Sequence, residues 1–200
     1  MATAVAVVIG LAALAILILR VSHPLPSLAG RIASSAVIPA SDGLVGKFVD
    51  ALSKQNPGKS GIFPLLNAKE AFAARMLLAR AAKHSIDAQY YIWHDDLSGR
   101  ALFVALVQAA DRGVRVRLLL DDNNTAGMDP LLAAIDRHPN IEVRLFNPFM
   151  QRSARIFGYL SDFFRLNRRM HNKSFTVDNQ ATIIGGRNIG DEYFDSRLSP

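Results

Sequence analysis

Residues 2–19 form a run of eighteen without a charged side chain, in which only Thr3 and Gly10 interrupt Ala, Val, Ile and Leu. A surface helix keeps a polar stripe toward water, and this run has none. At about 1.5 Å per residue its helix is about 27 Å long, close to the hydrocarbon thickness of a bilayer. Residues 1–20 are therefore expected to be a transmembrane anchor rather than a core helix. A cleaved signal peptide is the rival reading, because Ser27-Leu28-Ala29 resembles a small-x-small cleavage site. Against it, no Lys or Arg precedes the run, which also exceeds the usual apolar length of about 7–15 residues. Arg20, Arg31 and Lys47 follow the run. The positive-inside bias then puts the body of a single-pass protein in the cytoplasm.

The chain has no cysteine. That excludes disulfide scaffolds, thiol nucleophiles, Cys-ligated zinc and iron–sulfur clusters. Lys plus Arg number 23 against 17 Asp plus Glu, a net charge of +6. Such a balance favours anionic partners: nucleic acid, phosphate groups or an acidic membrane surface. Most of the excess lies in residues 151–173, where Arg152, Arg155, Arg165, Arg168, Arg169 and Lys173 face a single acid, Asp162. Ile156, Phe157, Tyr159, Leu160, Phe163, Phe164 and Leu166 lie between them. The stretch suits lipid headgroups or nucleic acid. It equally suits a helix whose aromatic face packs on a sheet with its arginines in water.

The body is organised as a linker with a short helix over 21–60, then an alternating domain over 61–200. Three prolines and five serines between 22 and 42 mark the linker. Residues 43–53 read as a short amphipathic helix. Residues 61–66 are strand-like, and Asn67 with Glu70 resembles a capping box that opens a helix to about residue 83. Strands are expected at 86–93, 114–120 and 141–146, with helices at 99–112 and after Asp129-Pro130. Strand–helix–strand alternation argues an α/β layered domain with a mostly parallel sheet. Ligands of such sheets gather where strands end. His94, Asp95, Asp96 and the cluster Asp121-Asp122-Asn123-Asn124 are expected there, either as ligand groups or as turn residues and helix caps.

One spaced set carries chemistry: His171-x-Lys173, four residues, Asp178, six residues, Gly185-Gly186-x-Asn188. Residues 174–177 and 181–184 read as a β-hairpin about Asp178-Asn179-Gln180. His171 and Lys173, two apart on a strand, share one face. An imidazole serves as nucleophile or base, and an ammonium binds a phosphoryl oxygen. Gly185 and Gly186 let backbone approach a ligand closely. Asn188 supplies an amide donor, and Asp178 an acceptor that orients part of the site. The set points to phosphoryl chemistry on a histidine, with no metal.

These residues match the HKD motif, and the chain resembles the phospholipase D superfamily. Residues 89–93 (Gln-Tyr-Tyr-Ile-Trp), 113–122 and 167–173 further resemble bacterial cardiolipin synthases, the C-type branch above all, over about residues 42–197. The resemblance implies a phospholipase D-like layered α/β fold and transfer of a phosphatidyl group between phospholipids through a phosphohistidine. It implies His171, Lys173 and Asp178 as catalytic residues, with Asn188, Gly185 and Gly186 binding substrate. No cofactor or metal is implied. Phosphatidylglycerol is the implied substrate, nucleic acid is not an expected partner, and the place is the bacterial cytoplasmic (inner) membrane.

Family enzymes use two facing HKD motifs, one histidine attacking phosphorus and the other protonating the leaving group. This chain carries one, since His23, His84, His94 and His138 lack the continuation. A second motif is expected from a C-terminal half outside this chain or from a second subunit. The alternatives are a homodimeric single-motif phosphodiesterase or nuclease, and an inactive fragment.

Overall fold

The computed structural model describes residues 1–30, 32–152 and 154–196. Arg31, one of the three basic residues that set the expected orientation, lies outside the described residues. In chain order the elements are α1 (Ala2–Ser22), α2 (Leu44–Gln55), α3 (Ala68–Ala81), β1 (Ser85–Tyr90), α4 (Leu97–Asp111), β2 (Arg115–Asp121), α5 (Asp129–Asp136), β3 (Ile141–Phe146), α6 (Arg155–Leu166), β4 (Lys173–Val177) and β5 (Ala181–Ile184). They fall into two compact units. One is Met1–Ala33 with Asn147–Arg169; the other is Ser34–Phe146 with the chain from Met170 on.

This partition differs from the one expected at residues 20 and 60. The proline-rich stretch is not a free linker after residue 33, because side chains of the sheet unit hold its backbone. Arg117 donates to the Ser34 carbonyl at 3.0 Å, Asn179 to Val37 at 3.1 Å and Gln180 to Ala40 at 3.4 Å. Asp42 pairs with Lys83 at 2.7 Å and His84 at 2.6 Å, and these partners hold its carboxyl down at about 2.

In the sheet unit five strands run in the order β3-β2-β1-β4-β5. β1–β2 and β2–β3 are parallel; β1–β4 and β4–β5 are antiparallel. The sheet is therefore mixed rather than mostly parallel. Crossovers through α4 and α5 make the parallel half, while a three-residue loop can only return a strand antiparallel. That loop is Asp178-Asn179-Gln180, with φ of 53° at Asp178 and 50° at Asn179, a conformation that Asp and Asn tolerate better than most residues.

Burial alternates along β1 and β2, as period-two strands require. Ile86, Ala88, Tyr90, Val116, Leu118 and Leu120 are buried with Leu102, Leu106 and Ala109 of α4. Each fully buried large side chain contributes about 1.5–3 kcal/mol. Trp93 stacks on Phe103 at 4.5 Å and meets Tyr90 edge-on at 5.5 Å. α3 starts as expected, its Asn67 side chain accepting from the backbone of Lys69 and Glu70. Residues 61–66 form no strand: no sheet edge takes them, and Ile62, Phe63 and Leu66 stay exposed.

The other unit holds α1 and α6. α1 is long and apolar enough to cross a membrane and buries none of its side chains. α6 is interrupted at Asp162, whose φ of −145° and ψ of 45° are not helical.

Candidate active site

The register of β4 on β1 sets the site. Tyr90 pairs with Lys173, so His171 lies just beyond the paired residues, beside the C-terminal end of β1. Two neighbouring tyrosines there must point to opposite faces. Tyr90 enters the core, and Tyr91 faces the motif. The His171 and Tyr91 rings lie 4.9 Å apart, tilted by 58°. The Lys173 ammonium sits 5.3 Å from the centroid of the same ring. The imidazole and the ammonium thus share a face, as their spacing predicts. His171 is exposed, while Lys173 is buried and donates to the His171 carbonyl at 3.0 Å. Burial pushes the Lys173 ammonium below the ordinary lysine range. Among the described residues no carboxylate pairs with it.

Asn188 reaches the same end by a different route. β5 lies outside β4, with Ile184 opposite Ser174. Five residues later Ile189 bridges Trp93, beyond β1, and the Ile189 carbonyl accepts from His94 at 2.9 Å. The chain must therefore cross the start of β4 between Ile184 and Ile189. Gly185 makes this turn at φ 155°, which side chains disfavour, and no atom lies within 4 Å of a Cβ built on either glycine. Asn188 is buried and its Oδ1 accepts from Ile92 N at 3.0 Å. With the oxygen so used, the Asn188 amide NH₂ is the group left to donate.

Asp178 does not join them. About 16 Å of strand separates it from Lys173, at about 3.3 Å per residue. Its buried carboxylate accepts from the backbone N–H of His84 at 2.7 Å, Ser85 at 3.0 Å and Lys83 at 3.1 Å. Expected as a catalytic residue, it lies at the far end of β4, where it fastens the hairpin to the start of β1.

The strand-end clusters are structural, and some brace the site. Asp95 pairs with exposed Arg100 at 2.6 Å, which holds its carboxyl below the usual range. Asp122 accepts from the Thr125 hydroxyl. Asp121 is fully buried and accepts from Met170 N at 2.7 Å, fixing the residue before His171. Asn124 donates to the Tyr91 carbonyl at 3.0 Å. Tyr91 is the site residue that sequence reasoning missed, while Asp121 and Asn124, expected as ligand groups or turn residues, brace the site. The strand alternation at Tyr90-Tyr91 was the available signal for Tyr91; the braces exist only once β2 lies beside β1.

His94, Asp96 and Glu192 bring ligand-type atoms within 4.8 Å of one another. Both Asp96 oxygens are committed, to Gly99 N at 2.9 Å and Asp191 N at 2.7 Å. His94 Nδ1 lies 3.1 Å from a Glu192 oxygen. The cluster ties the start of α4 to residues 190–193.

Residues 77–198 match the family model described as "Cardiolipin synthase, PLD-like domain". The chain belongs to this family of PLD-like domains. It is 63% identical over 149 residues to cardiolipin synthase C of Escherichia coli (strain K12), covering 74% of this chain and 32% of that protein. Cardiolipin synthase A of Pseudomonas syringae pv. syringae (strain B728a) is 33% identical over 129 residues, 64% of this chain and 25% of that protein. The solved structure of NucT from Helicobacter pylori aligns with a TM-score of 0.48 at 18% identity, covering 68% of this chain and 78% of that one. The chain thus spans between a quarter and a third of the length of these two curated relatives.

Proposed function

We propose that this chain supplies one half of a cardiolipin-synthase-type phosphatidyltransferase site. The observation that carries the reading is the convergence of His171 and Lys173 on Tyr91, with the Asn188 amide at the same strand end. The likeness to cardiolipin synthase C supports the choice of a phospholipid as substrate.

In this reading Lys173 and Asn188 hold the phosphoryl oxygens of phosphatidylglycerol, and their donors strengthen as charge develops there. His171 supplies the imidazole, as nucleophile on phosphorus or as the acid for the leaving oxygen. A facing second motif, from further chain or a second copy, supplies the other histidine. The attacking nitrogen forms the bond to phosphorus and the glycerol oxygen leaves with a proton. The hydroxyl of a second phospholipid then takes the phosphatidyl group and restores the imidazole. The step needs no metal. α1 anchors the chain once in the bacterial inner membrane with the body in the cytoplasm.

The test is lipid mass spectrometry on the chain reconstituted in vesicles containing phosphatidylglycerol. Cardiolipin formed by the wild type and lost in His171→Ala supports the assignment. Cardiolipin formed equally by His171→Ala overturns it.

A further inference from the structure

α6 is inside out for a helix on a water-soluble surface. Its inner side is small: Gly158 and Ser161 are buried, together with Leu166. A Cβ on Gly158 would meet Phe149 and Leu166 carbons at 3.1 Å each, so the helix sits tightly on buried Phe149. Its large apolar residues point away. Ile156, Phe157, Leu160, Phe163 and Phe164 are all exposed, Phe164 by 85%. Positions 156, 157 and 160 form one helical stripe, and 163 and 164 follow beyond the break at Asp162, also exposed. The large apolar face of α6 is thus exposed.

The charges indicate what covers the stripe. The flanking ions are cationic: Arg155 and Arg169 lie over the Phe149 ring at 5.0 and 5.6 Å, and Arg168 is exposed. Asp162, the one acid between residues 151 and 173, is neutralised by Arg165 at 2.5 Å. An exposed apolar stripe on a segment of net positive charge, ending at exposed Arg168, matches acyl chains beneath anionic headgroups. The same compact unit contains α1, whose apolar side chains are exposed along its whole length.

We infer that α6 lies in the membrane interface, its stripe of Ile156, Phe157, Leu160, Phe163 and Phe164 among acyl chains and the exposed Arg168 beyond its end at anionic headgroups. The inference deepens the phospholipid reading above and rests on it for its consequence. Residues 167–170 alone separate α6 from His171 in the sequence, at most about 17 Å of extended chain. That reach of chain lets the histidine meet the lipid phosphates.

The absence of cysteine makes the test direct. Leu160→Cys, Phe164→Cys, Leu11→Cys in α1 and Gln108→Cys in α4 each accept one fluorescent label. The labelled chains are reconstituted in vesicles of phosphatidylethanolamine and phosphatidylglycerol carrying nitroxides at defined acyl depths. An interfacial helix sits about 5–10 Å into the headgroup–acyl boundary. Labels at 160 and 164 should lose more emission to shallow nitroxides than to deep ones, the label at 11 the reverse, and the label at 108 neither. Labels at 160 and 164 quenched no more than at 108 would overturn the inference, as would blue-shifted emission there without quenching, which means protein covers the face. The readout is independent of catalysis: quenching in a chain that makes no cardiolipin supports the placement of α6 while removing the substrate reading.

Discussion

The two ends of β4 carry the two halves of one sequence motif and could hardly be less alike. At the Lys173 end the imidazole is exposed, the ammonium is buried without a counter-ion among the described residues, and an aromatic ring is the shared neighbour. At the Asp178 end a buried carboxylate is saturated by three backbone amides from residues 83–85. The ammonium has a carbonyl and a ring beside it but no carboxylate among the described residues, whereas the carboxylate is filled by backbone amides of the fold. Under the proposed function the two ends of the motif do different work, one end chemistry and the other end scaffold.

The largest expected effect is on turnover. His171→Ala should lower phosphatidyl transfer by about 10²–10⁴-fold, the usual range for removing a positioned proton-transfer or nucleophilic group. Its exposed side chain predicts an unfolding midpoint in urea close to wild type. Asp178→Ala should do the converse, destabilising the chain by about 3 kcal/mol through three orphaned amides. A variant that unfolds like wild type yet loses transfer would erase the division between the two ends. Asp178→Asn, which keeps an acceptor oxygen, should fall between.

Lys173 gives the comparison a pH signature. Its pKa is lowered from 10.5 by burial, so between the lowered value and 10.5 the unfolded chain binds more protons than the folded one. Stability should therefore rise with pH across that alkaline window, and Lys173→Met should flatten the rise in urea titrations at stepped pH. Phosphate binding should weaken over the same window as the ammonium loses its proton. The smallest effect belongs to Tyr91. Aromatic contacts of this kind are worth about 0.5–1.5 kcal/mol, so Tyr91→Leu should slow transfer by up to about tenfold. Tyr91→Phe should restore it, since the ring and not the hydroxyl meets the two motif side chains; a slow Tyr91→Phe would assign the work to the hydroxyl instead.

How much was legible follows from distance along the chain. The bounds of β3 and β5, the hairpin loop and the Asn67 cap are local, and local pattern shows them. The pairing of His171 with Lys173 needs only a strand's two-residue period. The place of Asp178 was not legible because spacing specifies a face but not an end, and its partners lie about 95 residues earlier. The strand expected at 61–66 fails for a related reason. An apolar run becomes a strand only beside a free edge, and here its Leu65 and Leu66 carbonyls are held by Arg187 instead. The outward stripe of α6 was legible as amphipathic but not as outward, since periodicity cannot say which side faces the protein.

The most direct test uses two histidines as reporters of the two ends. His171 marks the proposed phosphate end, and His84, whose backbone N–H binds Asp178, marks the other. Imidazole ¹H–¹⁵N spectra of the solubilised chain should be recorded while inorganic phosphate is added. The account predicts that His171 shifts saturably, that His84 does not, and that Lys173→Met abolishes the His171 response. Phosphate that moves all five histidines alike, or moves His84 and leaves His171 still, would contradict it.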